Sequence, residues 1–137
     1  MQPNGTVRGA TRPHFARMDK YKSLLAWQRA HALALLSLRS TDNAYHPRAR
    51  PLFEQMRRAA ISVEANIVEG YALGTPNYFR KHLRIAMGSA AELECLVSLA
   101  RELAYLTPSV TGELDELLGG TMRVLSGLLR KPTHPKL

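Results

Sequence analysis

Four apolar segments follow one another along the chain at helical spacing, divided by turn signals and free of the alternation that marks strands. In the first, Lys22 to Ser40, the residues Leu24, Trp27, His31, Leu35 and Leu38 share a face, with Leu25, Ala32 and Leu36 beside them. A face that wide predicts burial on two sides. The second segment, Pro47 to Leu73, carries its stripe in Leu52, Met56, Ala59, Val63, Ile67 and Gly70. Gly74-Thr75-Pro76 then reads as a stop, a Thr cap and a proline at the first helical position.

The third segment runs to about Tyr105 with two rows. One row is Phe79, Leu83, Ala86, Ala90, Leu93, Val97 and Ala100; the other is Ile85, Ser89, Glu92, Leu96, Leu99 and Leu103. Thr107-Pro108 repeats the cap signal, and Leu114, Leu117, Leu118, Leu125, Leu128 and Leu129 mark a fourth helix ending by Lys131. Gly119-Gly120 inside it cost about 1 kcal/mol each relative to Ala, so they weaken the helix or admit a close neighbour. Four helices joined by short loops predict an all-α protein, an antiparallel up-down four-helix bundle. The expected boundaries are a basic, flexible tail at 1–20, the bundle at 21–131 and a basic tail at 132–137.

Charge sharpens this picture. The chain holds 19 Lys+Arg against 11 Asp+Glu, a formal net charge of +8, which favours anionic partners. Up-down order gathers Arg17, Lys20, Lys22, Arg80, Lys81, Arg84, Arg130 and Lys131 at one end, with Asp19 and Glu69 as the acids placed there. At the other end Arg39, Arg48, Arg50 and Arg101 are diluted by Asp42, Glu102, Glu113, Asp115 and Glu116. Clustered cations of this kind neutralise phosphates and give affinity without reading bases. The competing reading is a solvated basic face, with Arg130 and Lys131 complementing a helix dipole. Tyr21, Tyr71 and Tyr78 are the aromatics near that end that could stack on bases, or equally serve the core.

The chemistry of an enzyme is missing from the pattern. Neither His31 nor His82 follows a Glu by three residues, as an inward di-iron site requires. There is no Gly-rich phosphate loop or nucleophile elbow, and Cys95 lies near Glu92 and Glu94, which disfavour a thiolate. We expect no catalytic residues, metal or cofactor, no membrane span, and a cytoplasmic location. One polar line needs partners: Arg58, Ser62, Asn66 and Glu69 share a face of the second helix, while Ser89 and Glu92 interrupt an apolar row of the third. A structural polar seam is the expectation, with Arg58–Glu92 as the favoured pair and Glu69 accepting from the start of the third helix. A small-molecule site around Asn66, Glu69 and Glu92 is the lesser reading. Ala86, Gly88, Ser89, Ala90 and Ala91 would let another helix, or another subunit, approach closely.

At these same residues the sequence resembles a known family. Gln55 through Gly70 (QMRRAAISVEANIVEG) looks like the signature of the bacterial four-helix-bundle family that includes proteins encoded in ribosomal RNA intervening sequences. Phe79 to Leu83 and Ile85 to Glu94 resemble its third helix, and Lys22, Leu24, Trp27, Gln28 and Ala30 its opening. The resemblance implies a ring-like homo-oligomer, commonly a pentamer. A related branch, the accessory variability determinant of diversity-generating retroelements, implies a basic pentamer that binds a reverse transcriptase and its RNA. The expected function is thus a non-enzymatic, oligomeric RNA-binding accessory protein, in its narrowest form a reverse-transcriptase subunit. The alternative is a homo-oligomeric protein-interaction scaffold without a nucleic-acid role.

Overall fold

A computed structural model describes residues 20–131; the tails, with Arg17 and Asp19, lie outside the described residues. Four helices make up the fold: α1 (Leu25–Asn43), α2 (Arg50–Leu73), α3 (Pro76–Glu102) and α4 (Pro108–Arg130). Short 3-10 turns, Lys20–Ser23 and Pro47–Ala49, lead into α1 and α2, and no strand occurs among the described residues. The boundaries follow local chemistry. Thr75 and Thr107 cap α3 and α4 by accepting from the backbone N–H of Tyr78 and Val110, each with proline inside the first turn. Gly74 ends α2 at φ 84°, a left-handed conformation that glycine adopts without penalty.

The four form a bundle in which α1 touches α2 and α4, and α3 touches α2 and α4. Bonds between helices run in opposite order along the chain. Trp27 and His31 meet Glu64 while Asp42 meets Arg57. Gln55 meets Glu92, Ser62 meets Ser89 and Asn66 meets His82. Arg101 meets Asp115 while Arg80 meets the carbonyl of Lys131.

The core takes the expected stripes of α2 and α4 and the first row of α3, among them Met56, Val63, Ile67, Leu93, Val97, Leu114, Leu118 and Leu125, all within 1 % of full burial; the second row of α3 faces outward, with Ile85, Leu99 and Leu103 exposed. Helix α1 differs from expectation. Its buried face is Ala26, Ala30, Leu33, Ala34 and Ser37, whereas Trp27, His31, Leu35 and Leu38 are half-buried and Leu25 is exposed. The bulkier row lies on the flank of the bundle instead. There Trp27 Nε1 donates to Glu64 Oε2 at 2.9 Å, and His31 Nδ1 lies 2.8 Å from the same oxygen.

Ser37 stands out within this face: it is fully buried, and its Oγ meets no hydrogen-bond partner among the described residues. A buried hydroxyl without a partner costs about 1–3 kcal/mol. Ser37→Ala is therefore expected to raise stability by about 1 kcal/mol, read as a higher urea midpoint at unchanged slope.

Candidate nucleic-acid interface

One end of the bundle is built by three junctions. Before α1, Ser23 Oγ donates to the Lys20 carbonyl at 2.8 Å and Gln28 Nε2 to the Lys22 carbonyl at 3.1 Å, fixing the turn that carries both lysines. This turn packs on α1 and α2, with the Tyr21 ring set edge-on to Trp27 at 5.4 Å. At the α2–α3 junction, Tyr71 packs edge-on against Phe79 at 6.0 Å. At the end of α4, Arg80 Nη1 donates to the Lys131 carbonyl at 3.2 Å, tying the start of α3 to the chain end of the bundle. Arg84 lies one turn beyond Arg80 on α3, about 6 Å along the axis.

Lys20, Lys22, Lys81, Arg84, Arg130 and Lys131 are exposed and Arg80 is half-buried. None of the seven forms an ion pair among the described residues. Arg130 turns instead to Ser126 Oγ at 2.8 Å. Glu69, also exposed, makes no bond to the start of α3 among the described residues; Thr75 supplies that cap. Lys81 Nζ hangs 6.0 Å over the Tyr78 ring. Of the three tyrosines considered for stacking, Tyr21 and Tyr71 are half-buried by their aromatic neighbours, and Tyr78 is the exposed one.

At the other end three arginines are answered by carboxylates, while Arg39 and Arg48 form no ion pair among the described residues. Arg57 pairs with Asp42 at 2.6 Å, Arg50 with Glu54 at 2.9 Å, and Arg101 with Asp115. The hydrogen bond from Arg50 holds the Glu54 carboxyl below its ordinary range. Cations therefore occur at both ends, but the carboxylates that answer them cluster at one.

Between α2 and α3 the polar residues form a chain. Ser62 Oγ and Ser89 Oγ lie 2.8 Å apart, and Asn66 Nδ2 donates to the Ser62 carbonyl at 2.9 Å and its Oγ at 3.1 Å. The Asn66 Oδ1 faces His82 Nδ1 at 2.9 Å, so His82 carries its proton on Nδ1 and donates. The expected Arg58–Glu92 pair is absent. Gln55 takes the place opposite Glu92, donating to its Oε2 at 2.5 Å, while Arg58 folds back to give Gln55 Oε1 two bonds at 3.2 and 3.3 Å. An amide with both a donor and an acceptor bridges the two charged groups, and all of it is exposed enough that no buried charge arises.

Two further arginines meet at the middle of α4, and the residue pattern did not single them out. Arg29 on α1 and Arg123 on α4 come together over Gly119 and Gly120. The signal was the glycine pair itself, whose close neighbour is the Arg29 side chain.

The model of the 23S rRNA-intervening sequence protein family matches residues 22–127. The chain belongs to that family. No curated protein matches it. The span matched to the intervening-sequence family takes in α1, α2, α3 and all but the last three residues of α4, with Lys22, Arg29, Arg80, Lys81, Arg84 and Arg123; it stops before Arg130 and Lys131. No helix among the described residues is long and apolar enough to cross a membrane.

Proposed function

We propose that this intervening-sequence family protein is a non-enzymatic, cytoplasmic RNA-associated protein. In this reading an up-down bundle assembles into a ring-like homo-oligomer, a pentamer in the form the resemblance implies. The observation that carries the RNA reading is the end formed by Lys20, Lys22, Arg80, Lys81, Arg84, Arg130 and Lys131, with no ion pair among the described residues. A set of unanswered cations at one pole loses less on meeting phosphate than the paired arginines at the other, because no existing partner is displaced. The reverse order of the inter-helix bonds supports the up-down topology.

Self-association has its own support. Leu25, Ile61, Ile85 and Leu99 are each 42–49 % exposed in the single chain, and a Cβ added at Gly88 would meet nothing within 4 Å. These large apolar side chains, with the open small residues of α3, fit contact with further copies. A ring would repeat each basic pole around one rim and multiply a weak contact by avidity. Service as the accessory subunit of a retroelement reverse transcriptase is the narrowest form of this reading, and the net charge of +8 suits it. A scaffold that only binds proteins is the competing class, favoured by the same exposed apolar residues.

Native mass measurement of the purified protein, alone and with a single-stranded RNA oligonucleotide, tests both parts. The expected result is a closed oligomer that takes up RNA, with log affinity falling linearly as log salt rises. An oligomer that binds no RNA at low salt would leave the scaffold in its place.

A further inference from the structure

Glycine inside a helix is unfavourable, and α4 tolerates two in succession. Their surroundings differ from those of an ordinary helix contact. A Cβ at Gly120 would lie 2.8 Å from Arg29 Nη1 and 4.0 Å from Arg123 Nη2, and one at Gly119 would lie 3.4 Å from Arg123 Nη1. Guanidinium groups from two helices thus converge on one strip of bare backbone, to which α1 could not bring Arg29 over a larger residue. Neither arginine forms an ion pair among the described residues. Two like charges brought together without a carboxylate repel one another, and an anion placed between them removes that cost.

We propose that Arg29 and Arg123 form a clamp for one phosphodiester group of an RNA strand, on the α1–α4 face at the middle of α4. This rests on the RNA reading above and adds a defined phosphate position to it. Arg130 lies seven residues after Arg123, two turns further along the same face of α4 and about 10 Å away. A strand leaving the clamp along that face arrives at the pole. The guanidinium fork suits the task, since it presents paired N–H donors to two phosphate oxygens. Gly120 is a positioning residue here: it leaves room for Arg29 to lie flat against α4.

The test uses the full chain and a labelled single-stranded RNA oligonucleotide, titrated from 50 to 400 mM salt. Arg29→Gln and Arg123→Gln should each lower affinity about fivefold at 0.1 M salt and reduce the log–log slope by about 0.7. Arg39→Gln removes the same charge from an exposed position elsewhere on α1 and should change neither. Gly120→Ala keeps every charge but pushes Arg29 aside. It should weaken RNA binding several-fold while leaving thermal stability equal or higher, because the contact to be moved is the far end of a flexible side chain. If the wild-type chain binds RNA steeply with salt and Arg29→Gln or Arg123→Gln leaves the slope intact, or Arg39→Gln has the same effect, the clamp is overturned while the RNA reading stands. If the wild-type chain binds no RNA, both fall together.

Discussion

Replacing Arg80, Lys81 and Arg84 together by Ala is expected to lower RNA affinity about a hundredfold at 0.1 M salt. The size follows from counterion release: each phosphate contact on a single strand contributes about 0.7 to the log–log slope, so three remove about 2. The same argument fixes the dependence on conditions. Near 1 M salt the variant and the parent should bind almost equally, since the lost term is electrostatic. Folding should change little. Lys81 and Arg84 are exposed, and only Arg80 makes a described bond, to the Lys131 carbonyl at 3.2 Å. Anisotropy titrations of a labelled oligonucleotide at several salt concentrations measure both numbers, and circular dichroism checks the fold. A slope that survives the triple change would take this end of the bundle out of the RNA contact. The equivalent removal of Arg50, Arg57 and Arg101 at the other end is a demanding control, because it breaks three ion pairs and should cost stability before it costs affinity.

Most of the helical layout was legible in the residues. Proline after Thr75 and Thr107 marks the starts of α3 and α4, and the row Leu83, Ala86, Ala90, Leu93, Val97, Ala100 is the buried row of α3. Periodicity misled in α1, where apolar size and burial come apart. Leu35 and Leu38 attract attention as bulky residues, yet Ala26, Ala30, Leu33, Ala34 and Ser37 hold the core face. Hydropathy ranks a leucine above an alanine, whereas helix packing at short distance favours the alanine.

The polar line between α2 and α3 could be drawn from spacing, because antiparallel neighbours bring Ser62 level with Ser89. Its pairings could not. Opposite charge suggested Arg58 with Glu92, but Gln55 reaches Glu92 from one turn earlier and engages Arg58 through its other end. Which long side chains meet depends on rotamers that sequence spacing leaves free. The same limit hid Glu64, which reads as a surface acid on α2 until Trp27 and His31 both turn to it. Arg29 and Arg123 were hidden for another reason. Each is one arginine among many, and what distinguishes them is the missing side chain at Gly120, a feature of a different helix.

Gly70→Ala poses the opposite case to Gly120→Ala and should destabilise the bundle by about 1–2 kcal/mol. Two effects compete. Alanine in place of glycine inside a helix gains up to about 1 kcal/mol. Against it, the new Cβ would sit 2.6 Å from the His82 Cβ and 3.3 Å from the Phe79 Cα. Neither atom can swing away by a side-chain rotation, since one is the root of its side chain and the other is backbone. Relief requires α3 to move off α2, and overpacking of that kind costs about 1–3 kcal/mol or more. The displacement would also stretch the His82–Asn66 bond of 2.9 Å, which continues through Asn66 to Ser62 and Ser89. Because Phe79 and His82 lie on the turn of α3 that carries Arg80 and Lys81, the shift should reach the basic pole. Urea unfolding should therefore show a lower midpoint, and RNA affinity and its salt slope should fall together although no charge is removed. An alanine variant as stable as the parent would mean that α2 and α3 do not meet this closely at Gly70.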